Sequence, residues 1–121
     1  MSRPRKWRKV CHLPGSVRFG PVGEAPAAEH IVLMAVDEFE TIRLIDLESF
    51  TQEECARQMD IARTTVQRIY DGARKKLADS LVNGKMLIIE GGDYVLCKGL
   101  EETCRCGGCL RHRWARENNH P

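Results

Sequence analysis

The sequence predicts a mainly α-helical fold with a small β component. Two capping-box patterns each precede an amphipathic run, and one long segment carries apolar residues at helical spacing. Short apolar runs bounded by glycines add a few strands. With 121 residues, the chain suits one compact domain with short appended segments. We therefore expect a basic N-terminal arm (1–30), a helical domain with short strands (31–97) and a cysteine-rich C-terminal segment (98–121).

The first elements are predicted from composition and from helix-capping residues. Residues 1–30 are rich in Pro, Gly and Arg and lack sustained periodicity, so they predict an irregular arm. Ile31–Ala35 is a short apolar run that fits a buried strand. Asp37 and Glu40 match a capping box, so we expect a first helix to begin there and to end at about residues 47–49.

Two further helices are expected in the middle of the chain. Thr51 and Glu54 repeat the capping-box pattern and predict a short helix over about residues 52–58. After a turn at 59–61, a third helix begins near residue 62 or 63 and runs to about residue 82. Its apolar positions recur at helical spacing, at Val66, Ile69, Ala73, Leu77 and Leu81. Asn83-Gly84 favours its end, because both residues accept left-handed backbone angles.

The third helix is followed by two runs with strand character. Lys85–Glu90 and Tyr94–Cys97 flank the turn residues Gly91-Gly92-Asp93. This pattern predicts a wing-like β-hairpin directly after the helix. The earlier run Ile31–Ala35 could pair with this hairpin.

The second and third predicted helices together form a helix-turn-helix pattern. The side chains that would hold their angle are small or apolar: Cys55, Ala56, Met59, Ile61, Val66 and Ile69. Asp60 lies at the bend, where Asp can adopt the left-handed conformation. The face that would project outward carries hydrogen-bonding side chains: Arg63, Thr64, Thr65, Gln67 and Arg68. Arg and Gln can bind guanine and adenine in the major groove, so we expect this face to bind double-stranded DNA.

The same residues carry a resemblance to known DNA-binding proteins. FTQEECARQMDIARTTVQRIYDGARKKLADSL resembles region 4 of bacterial sigma factors over about thirty residues. RPRKWRKVCHLP, VDEFETIRLIDLE, this segment and LVNGK with IEGGDY together resemble a family of uncharacterised prokaryotic proteins predicted to bind DNA. The resemblance implies a regulator with a sigma-region-4-like fold. Ala62 departs from the pattern, because related sequences usually have Ser as the helix N-cap. Losing this cap costs about 1 kcal/mol of stability.

A second DNA contact is predicted from the N-terminal arm. Residues 1–20 hold six basic residues and no acidic one. Flexible arms of this kind can reach into a minor groove. The candidate contacts surround Trp7, which would anchor the arm to the body, and they are Arg3, Arg5, Lys6 and Arg8.

The six cysteines predict a metal site near the C-terminus. Disulfides are not expected without a secretion signal, and clustered thiols in such chains more often bind metal. The candidate ligands are four cysteines within thirteen residues, Cys97, Cys104, Cys106 and Cys109. Four thiolates suit tetrahedral Zn²⁺, which we expect, or an iron–sulfur cluster as the alternative. Cys55 is instead expected to be a buried small hydrophobe.

The leading prediction is a DNA-binding transcriptional regulator in the cytoplasm of a prokaryote, acting as a homodimer because one module reads few base pairs. One alternative is a protein-interaction adaptor, with partners such as the transcription machinery, for which the acidic helix from Asp37 to Glu48 offers a surface. The other is a metal- or redox-sensing module that uses the helix-turn-helix as a scaffold. An enzyme is not expected, because the sequence shows no nucleophile–base pairing, phosphate-binding glycine loop or HExxH motif. A membrane protein is not expected either, because no apolar run is long enough.

Overall fold

The computed structural model describes residues 7–11, 13–23 and 27–96. Three α-helices dominate it: α1 (Val36–Ile42), which continues as a π-helical segment (Arg43–Leu47), α2 (Gln52–Met59) and α3 (Arg63–Asn83). A 3₁₀ turn spans Ala28–His30. The strands are short: β1 (Arg8–Val10), β2 (Arg18–Phe19), β3 (Ile31–Met34), β4 (Met86–Ile89) and β5 (Tyr94–Leu96). The prediction of a mainly α fold with a small β component is confirmed.

The strands form two small sheets, and neither contains the predicted wing-like hairpin. In one sheet β4 lies between β2, to which it is antiparallel, and β3, to which it is parallel. In the other sheet β1 and β5 pair in parallel. The predicted pairing of β4 with β5 is therefore wrong, because each strand finds its partner far away along the chain. The expected pairing of the strand at Ile31 with this region is confirmed by β3 and β4.

The predicted N-terminal arm contributes strands to the folded body. β1 and β2 both lie within residues 1–30, where an irregular segment was expected. Val10 and Cys11, at the end of β1, are buried in the core. The folded domain thus includes residues before the expected boundary at residue 30. These segments are too short to show periodicity, and they form strands because they pair with β4 and β5.

Helix α1 begins one residue before the predicted cap. Its N-cap is Ala35, whose backbone N–H donates to Oε1 of Glu38 at 2.9 Å. The prediction that Asp37 caps this helix is wrong. The Asp37 carboxylate instead lies 3.5 Å from Nε of Arg8, so it faces the β1–β5 sheet.

Two apolar clusters form the core. One lies beneath α2 and the first half of α3 and contains Cys11, Leu44, Cys55, Ala56, Met59, Ile61, Val66 and Ile69. The other lies between the sheets, α1 and the middle of α3 and contains Val10, Val32, Met34, Val36, Ala73, Leu87 and Ile89. Helix α3 thus contributes to both clusters. Across the described part of the chain, no helix is long and apolar enough to cross a membrane.

Candidate nucleic-acid interface

The turn between α2 and α3 is fixed by local chemistry at both ends of α2. At its start, Thr51 Oγ1 accepts from the N–H of Glu54 at 3.1 Å, and Glu54 Oε1 accepts from the N–H of Thr51 at 2.9 Å. At its end, Asp60 adopts the left-handed conformation, with φ 58° and ψ 47°. The predicted Thr51–Glu54 capping box and the predicted left-handed conformation of Asp60 are both confirmed. We call residues 52–83 the α2–α3 unit.

The inner side of the α2–α3 unit is closely packed. Cys55, Met59 and Val66 are fully buried there, and Leu44 reaches the same cluster from the π-helical segment. The Cys55 thiol donates to Sδ of Met59 at 3.7 Å. Burial, with the nearby Glu40 carboxylate, raises the pKa of Cys55 to about 12, so the thiol stays protonated at neutral pH. The prediction that Cys55 is a small hydrophobe is confirmed.

The outer side of α3 presents the predicted contact residues. Arg63, Thr64, Gln67 and Arg68 are exposed, and Thr65 is half-buried. The structure brings these five side chains together on the first two turns of one helix. The opposite face of the same turns is buried through Val66 and Ile69, so the helix cannot rotate to hide the polar face without exposing its core residues.

The start of α3 lacks a side-chain cap. Ala62 is the N-cap residue, with φ −71° and ψ 150°, and it makes no side-chain capping hydrogen bond. The missing cap agrees with the sequence, in which Ala62 stands where related sequences usually have Ser. The first turn of α3 therefore lacks the capping hydrogen bond that a Ser, Thr, Asp or Asn side chain would accept there.

Further basic side chains extend the positive charge around this face. Arg57, in the last turn of α2, is exposed and was not singled out from the sequence. Its position near the end of a helix that leads directly into the turn would have been the signal. Arg74 lies over the ring of Tyr70, 5.5 Å from its centroid, and Lys75 is exposed. Asp71 is exposed among them and interrupts the positive surface.

Two contacts hold α3 against α1 and the π-helical segment. The Tyr70 hydroxyl donates to Oδ1 of Asp46 at 2.7 Å, and this hydrogen bond raises the pKa of Tyr70. Lys76 Nζ lies 2.6 Å from Oε1 of Glu38. Lys76 is thus committed to an internal ion pair, which makes it a poorer candidate for a phosphate contact than Lys75.

A buried polar network behind the unit was missed by the sequence analysis. Arg43 donates to both carboxylate oxygens of Glu40, at 2.7 Å and 3.1 Å. Glu40 also accepts from the backbone N–H of Cys11 at 2.8 Å, and Nε2 of Gln58 donates to Cys11 Sγ at 3.0 Å. The network links β1, α1 and α2. Its one signal in the sequence is the Glu–Arg pair three residues apart.

The predicted arm contacts divide into two groups. Arg3, Arg5 and Lys6 lie outside the described residues. Arg8 lies in β1, where its Nη1 donates to Oδ2 of Asp93 at 3.3 Å and its Nε faces Asp37. The prediction that Arg8 belongs to a DNA-reaching arm is therefore corrected, because two carboxylates hold its guanidinium in the folded body. Trp7, expected to anchor the arm, is 55% exposed.

The predicted metal ligands cannot be compared with the fold. Cys97, Cys104, Cys106 and Cys109 all lie outside the described residues. Within the ranges 7–11, 13–23 and 27–96, no group of three or more His, Cys, Asp or Glu side chains is placed to hold a metal ion. The four-cysteine site stays a prediction.

The acidic surface predicted over residues 37–48 is largely used inside the protein. Asp37 and Glu40 are buried, Glu38 pairs with Lys76, and Asp46 accepts from Tyr70. These contacts leave little free carboxylate charge on α1 for a protein partner.

Comparisons with known proteins place the chain in a family. The family described as "Protein of unknown function DUF134" matches residues 1–97. A UPF0251 protein of Desulfitobacterium hafniense (strain DSM 10664 / DCB-2) is 64% identical over 113 residues, covering 93% of this chain and 90% of its own. A UPF0251 protein of Caldanaerobacter subterraneus subsp. tengcongensis is 46% identical over 121 residues, covering 98% of this chain and 100% of its own.

A more distant relative agrees with these two. A UPF0251 protein of Halothermothrix orenii is 44% identical over 122 residues, covering 96% of this chain and 90% of its own. No solved structure matches the chain. Since the matches run across nearly the whole sequence, the chain belongs to the DUF134 family, whose relatives named above are UPF0251 proteins.

Proposed function

We propose that this protein binds double-stranded DNA and regulates transcription, with α3 entering the major groove as the reading helix of a sigma-region-4-like helix-turn-helix. The support is the division of α3 into two faces. Val66 and Ile69 are buried against α2, while Arg63, Gln67 and Arg68 are exposed on the other side. A helix held this firmly with a hydrogen-bonding face outward suits base recognition.

The exposed side chains divide by chemistry into base and phosphate contacts. Arg63 and Arg68 can each donate two hydrogen bonds to guanine, and Gln67 can bind adenine in the same manner. Thr64 and Thr65 lie at the first turn, where a Thr hydroxyl can donate to phosphate and a Thr methyl can pack on a thymine methyl. Arg57 adds a phosphate contact from the end of α2. Asp71 marks the end of the reading surface, because a carboxylate is repelled by phosphate.

The adaptor alternative has less support than it had from the sequence. It depended on an acidic surface over residues 37–48. Asp37, Glu38 and Glu40 make their contacts within the protein, so three of the five carboxylates in this span are already paired with basic side chains.

The test is selection of duplexes from a random pool by the purified full chain. We expect one enriched sequence, bound with an affinity that falls steeply as salt rises. Arg63→Ala and Arg68→Ala should each weaken binding to that sequence by about 1–3 kcal/mol and relax specificity at one position.

The matched control is Arg18→Ala. Arg18 is exposed on β2 and loses the same charge, but it lies outside the α2–α3 unit. We expect this variant to bind the selected sequence with wild-type specificity. If no sequence is enriched from the pool, or if Arg63→Ala and Arg68→Ala bind like Arg18→Ala, then α3 does not read DNA.

Two additional elements of the proposal concern residues outside the described part. Arg3, Arg5 and Lys6 are proposed to contact the minor groove, so deleting residues 2–6 should lower affinity and flatten the salt dependence. Cys97, Cys104, Cys106 and Cys109 are proposed to hold Zn²⁺, with an iron–sulfur cluster as the alternative. Metal analysis of protein purified without air distinguishes these, and protein that contains neither zinc nor iron contradicts the site.

A further inference from the structure

One basic side chain of α3, beyond the reading residues, is held in place by its neighbours. The Arg74 guanidinium lies over the ring of Tyr70, 5.5 Å from the ring centroid, where a cation is attracted to the aromatic face. Tyr70 is itself buried, and its hydroxyl donates to Oδ1 of Asp46 at 2.7 Å. Burial and this hydrogen bond fix the ring, so Arg74 rests on a rigid platform at the surface of the helix.

Arg74 is exposed, and its partners differ from those of the basic residues near it. Lys76 pairs with Glu38, and Lys85, just after α3, pairs with Asp79. Among the residues that the structure describes, no carboxylate forms an ion pair with Arg74. Stacking engages the flat face of a guanidinium, whereas its N–H groups lie in the plane. Arg74 thus keeps donors for an anion outside the protein.

The position of Arg74 on α3 indicates which anion this is, in a step that rests on the proposed function. Eleven residues separate Arg74 from Arg63, which is about three turns and a rise of about 16 Å. The two side chains therefore lie on nearly the same side of the helix but far apart along it. The major groove is about 12 Å wide and about 8.5 Å deep. When the first turn of α3 contacts bases, Arg74 therefore lies at the sugar–phosphate backbone beside the groove.

We propose that Arg74 binds a DNA phosphate at the edge of the groove that α3 reads, and that Tyr70 is a positioning residue that holds Arg74 ready for it. A guanidinium can donate two hydrogen bonds to one phosphate. Because Tyr70 restrains the side chain before DNA is bound, less side-chain freedom is lost on binding. Asp71 lies about 60° from Arg74 around the helix axis, on the side away from Tyr70, so its carboxylate need not face the same phosphate.

The first experiment measures the affinity of the full chain for random-sequence duplex DNA at several salt concentrations. Each phosphate contact steepens the fall of log affinity with log salt by about 0.9. Arg74→Ala should therefore make that slope shallower by about 1 and weaken binding on all sequences alike. Arg18→Ala is the control, because it removes the same charge from an exposed site outside the α2–α3 unit, and it should keep the wild-type slope. A wild-type slope for Arg74→Ala overturns the proposal.

The second experiment tests the positioning role of Tyr70. Tyr70→Leu removes the ring and should weaken binding about two- to fivefold, as expected for a cation–π contact at an exposed site. The same change in an Arg74→Ala background should have no effect on binding. Tyr70→Phe keeps the ring and is the control, which should lose less affinity than Tyr70→Leu. An equal loss in both backgrounds shows that Tyr70 only supports the fold and overturns its positioning role.

Arg74→Lys tests the same role if Tyr70→Leu does not fold. Lys carries the same charge at this exposed position but lacks the planar guanidinium. We expect the wild-type salt slope with a weaker affinity, because the charge remains while the stacked platform is lost. Wild-type affinity for Arg74→Lys overturns the positioning role.

Selection of duplexes from a random pool separates this inference from the proposed function. If a sequence is enriched while Arg74→Ala keeps the wild-type salt slope, this inference alone is wrong. If no sequence is enriched but the slope of Arg74→Ala is shallower by about 1, Arg74 binds phosphate and the reading of bases by α3 is contradicted.

Discussion

Glu40 and Arg43 form a buried ion pair with two hydrogen bonds, and their side chains are 0% and 6% exposed. The Glu40 carboxylate also accepts the backbone N–H of Cys11, so three donors surround it. Cys11 packs in the apolar cluster beneath α2 and α3. The ion pair therefore connects the end of β1 to the buried side of the α2–α3 unit. Both partners lie outside the candidate interface itself.

Breaking this pair should strongly destabilise the fold. Glu40→Gln leaves the Arg43 guanidinium buried without its counter-charge, and we expect the free energy of unfolding to fall by about 3–5 kcal/mol. Replacing both residues, as Glu40→Leu with Arg43→Met, should cost much less than the two single changes together. Urea denaturation measures Glu40→Gln, the singles Glu40→Leu and Arg43→Met, and the double variant. Lys85→Ala, at a more exposed ion pair, is the control and should cost under about 1 kcal/mol; additive costs at Glu40 and Arg43 would contradict the argument.

Supplying the missing cap at α3 should stabilise the protein. Ala62 already has the extended backbone of an N-cap residue, so Ser fits there without strain. We expect Ala62→Ser to raise the free energy of unfolding by about 1 kcal/mol, measured by urea denaturation. Ala78→Ser, at an exposed position inside the same helix, is the control and should lower it by about 0.5 kcal/mol. Equal effects at the two positions would rule out a capping contribution.

The two glycines before β5 should differ in their tolerance of a side chain. Gly91 has φ +73° with open space around it, so Gly91→Ala should cost about 1–2 kcal/mol from backbone strain alone. Gly92 has φ +106°, and a Cβ there would lie 2.6 Å from Oδ1 of Asp37 and 2.9 Å from Cβ of Ala35. Gly92→Ala should therefore cost about 2–5 kcal/mol. Thermal or urea unfolding of both variants checks the order, which a smaller loss at Gly92 would reverse.

Stability should depend on pH through Asp37 in an unusual direction. Burial raises the pKa of Asp37, and the Arg8 guanidinium offsets this only in part. The folded protein then binds this proton more tightly than the unfolded chain does. Lowering the pH from the raised pKa towards the ordinary value of 3.8 should therefore increase the free energy of unfolding of wild type relative to Asp37→Asn.

Asp79 provides a control of opposite sign. Hydrogen bonds from Asn83 and then Lys85 lower its pKa, so its contribution to stability should be lost as the pH falls through the lowered pKa. Wild type should thus lose stability relative to Asp79→Asn on acidification. Urea titrations at several pH values give both differences, and parallel trends for the two variants would contradict the assignment at Asp37.

The elements that follow from local chemistry could be predicted from the sequence. The Thr51–Glu54 capping box, the left-handed Asp60 and the end of α3 at Gly84 each depend on residues within one or two turns. The exposed face of α3 follows from the same periodicity. These features decide the candidate site, which is why its residues could be named before the fold was known.

The contacts between distant segments could not be predicted in this way. Asp37 and Glu40 have the spacing of a capping box, but their carboxylates pair with Arg8 and Arg43. The Glu38 carboxylate accepts from the N–H at the helix start instead. The β4–β5 hairpin was expected because the two strands are neighbours in sequence. Their actual partners, β3 and β1, are selected by burial, which a local pattern does not report.

The parallel pairing of β1 with β5 has a kinetic consequence. Arg8 and Asp93, which bridge the two strands, are 85 residues apart, so this sheet closes almost the whole described chain into one loop. Loop closure of this length is slow compared with helix formation. In a nascent chain, α2 and α3 are synthesised before residues 94–96, so the pairing of β1 with β5 can form only after them. Closure of the β1–β5 sheet is therefore expected to follow the formation of α2 and α3.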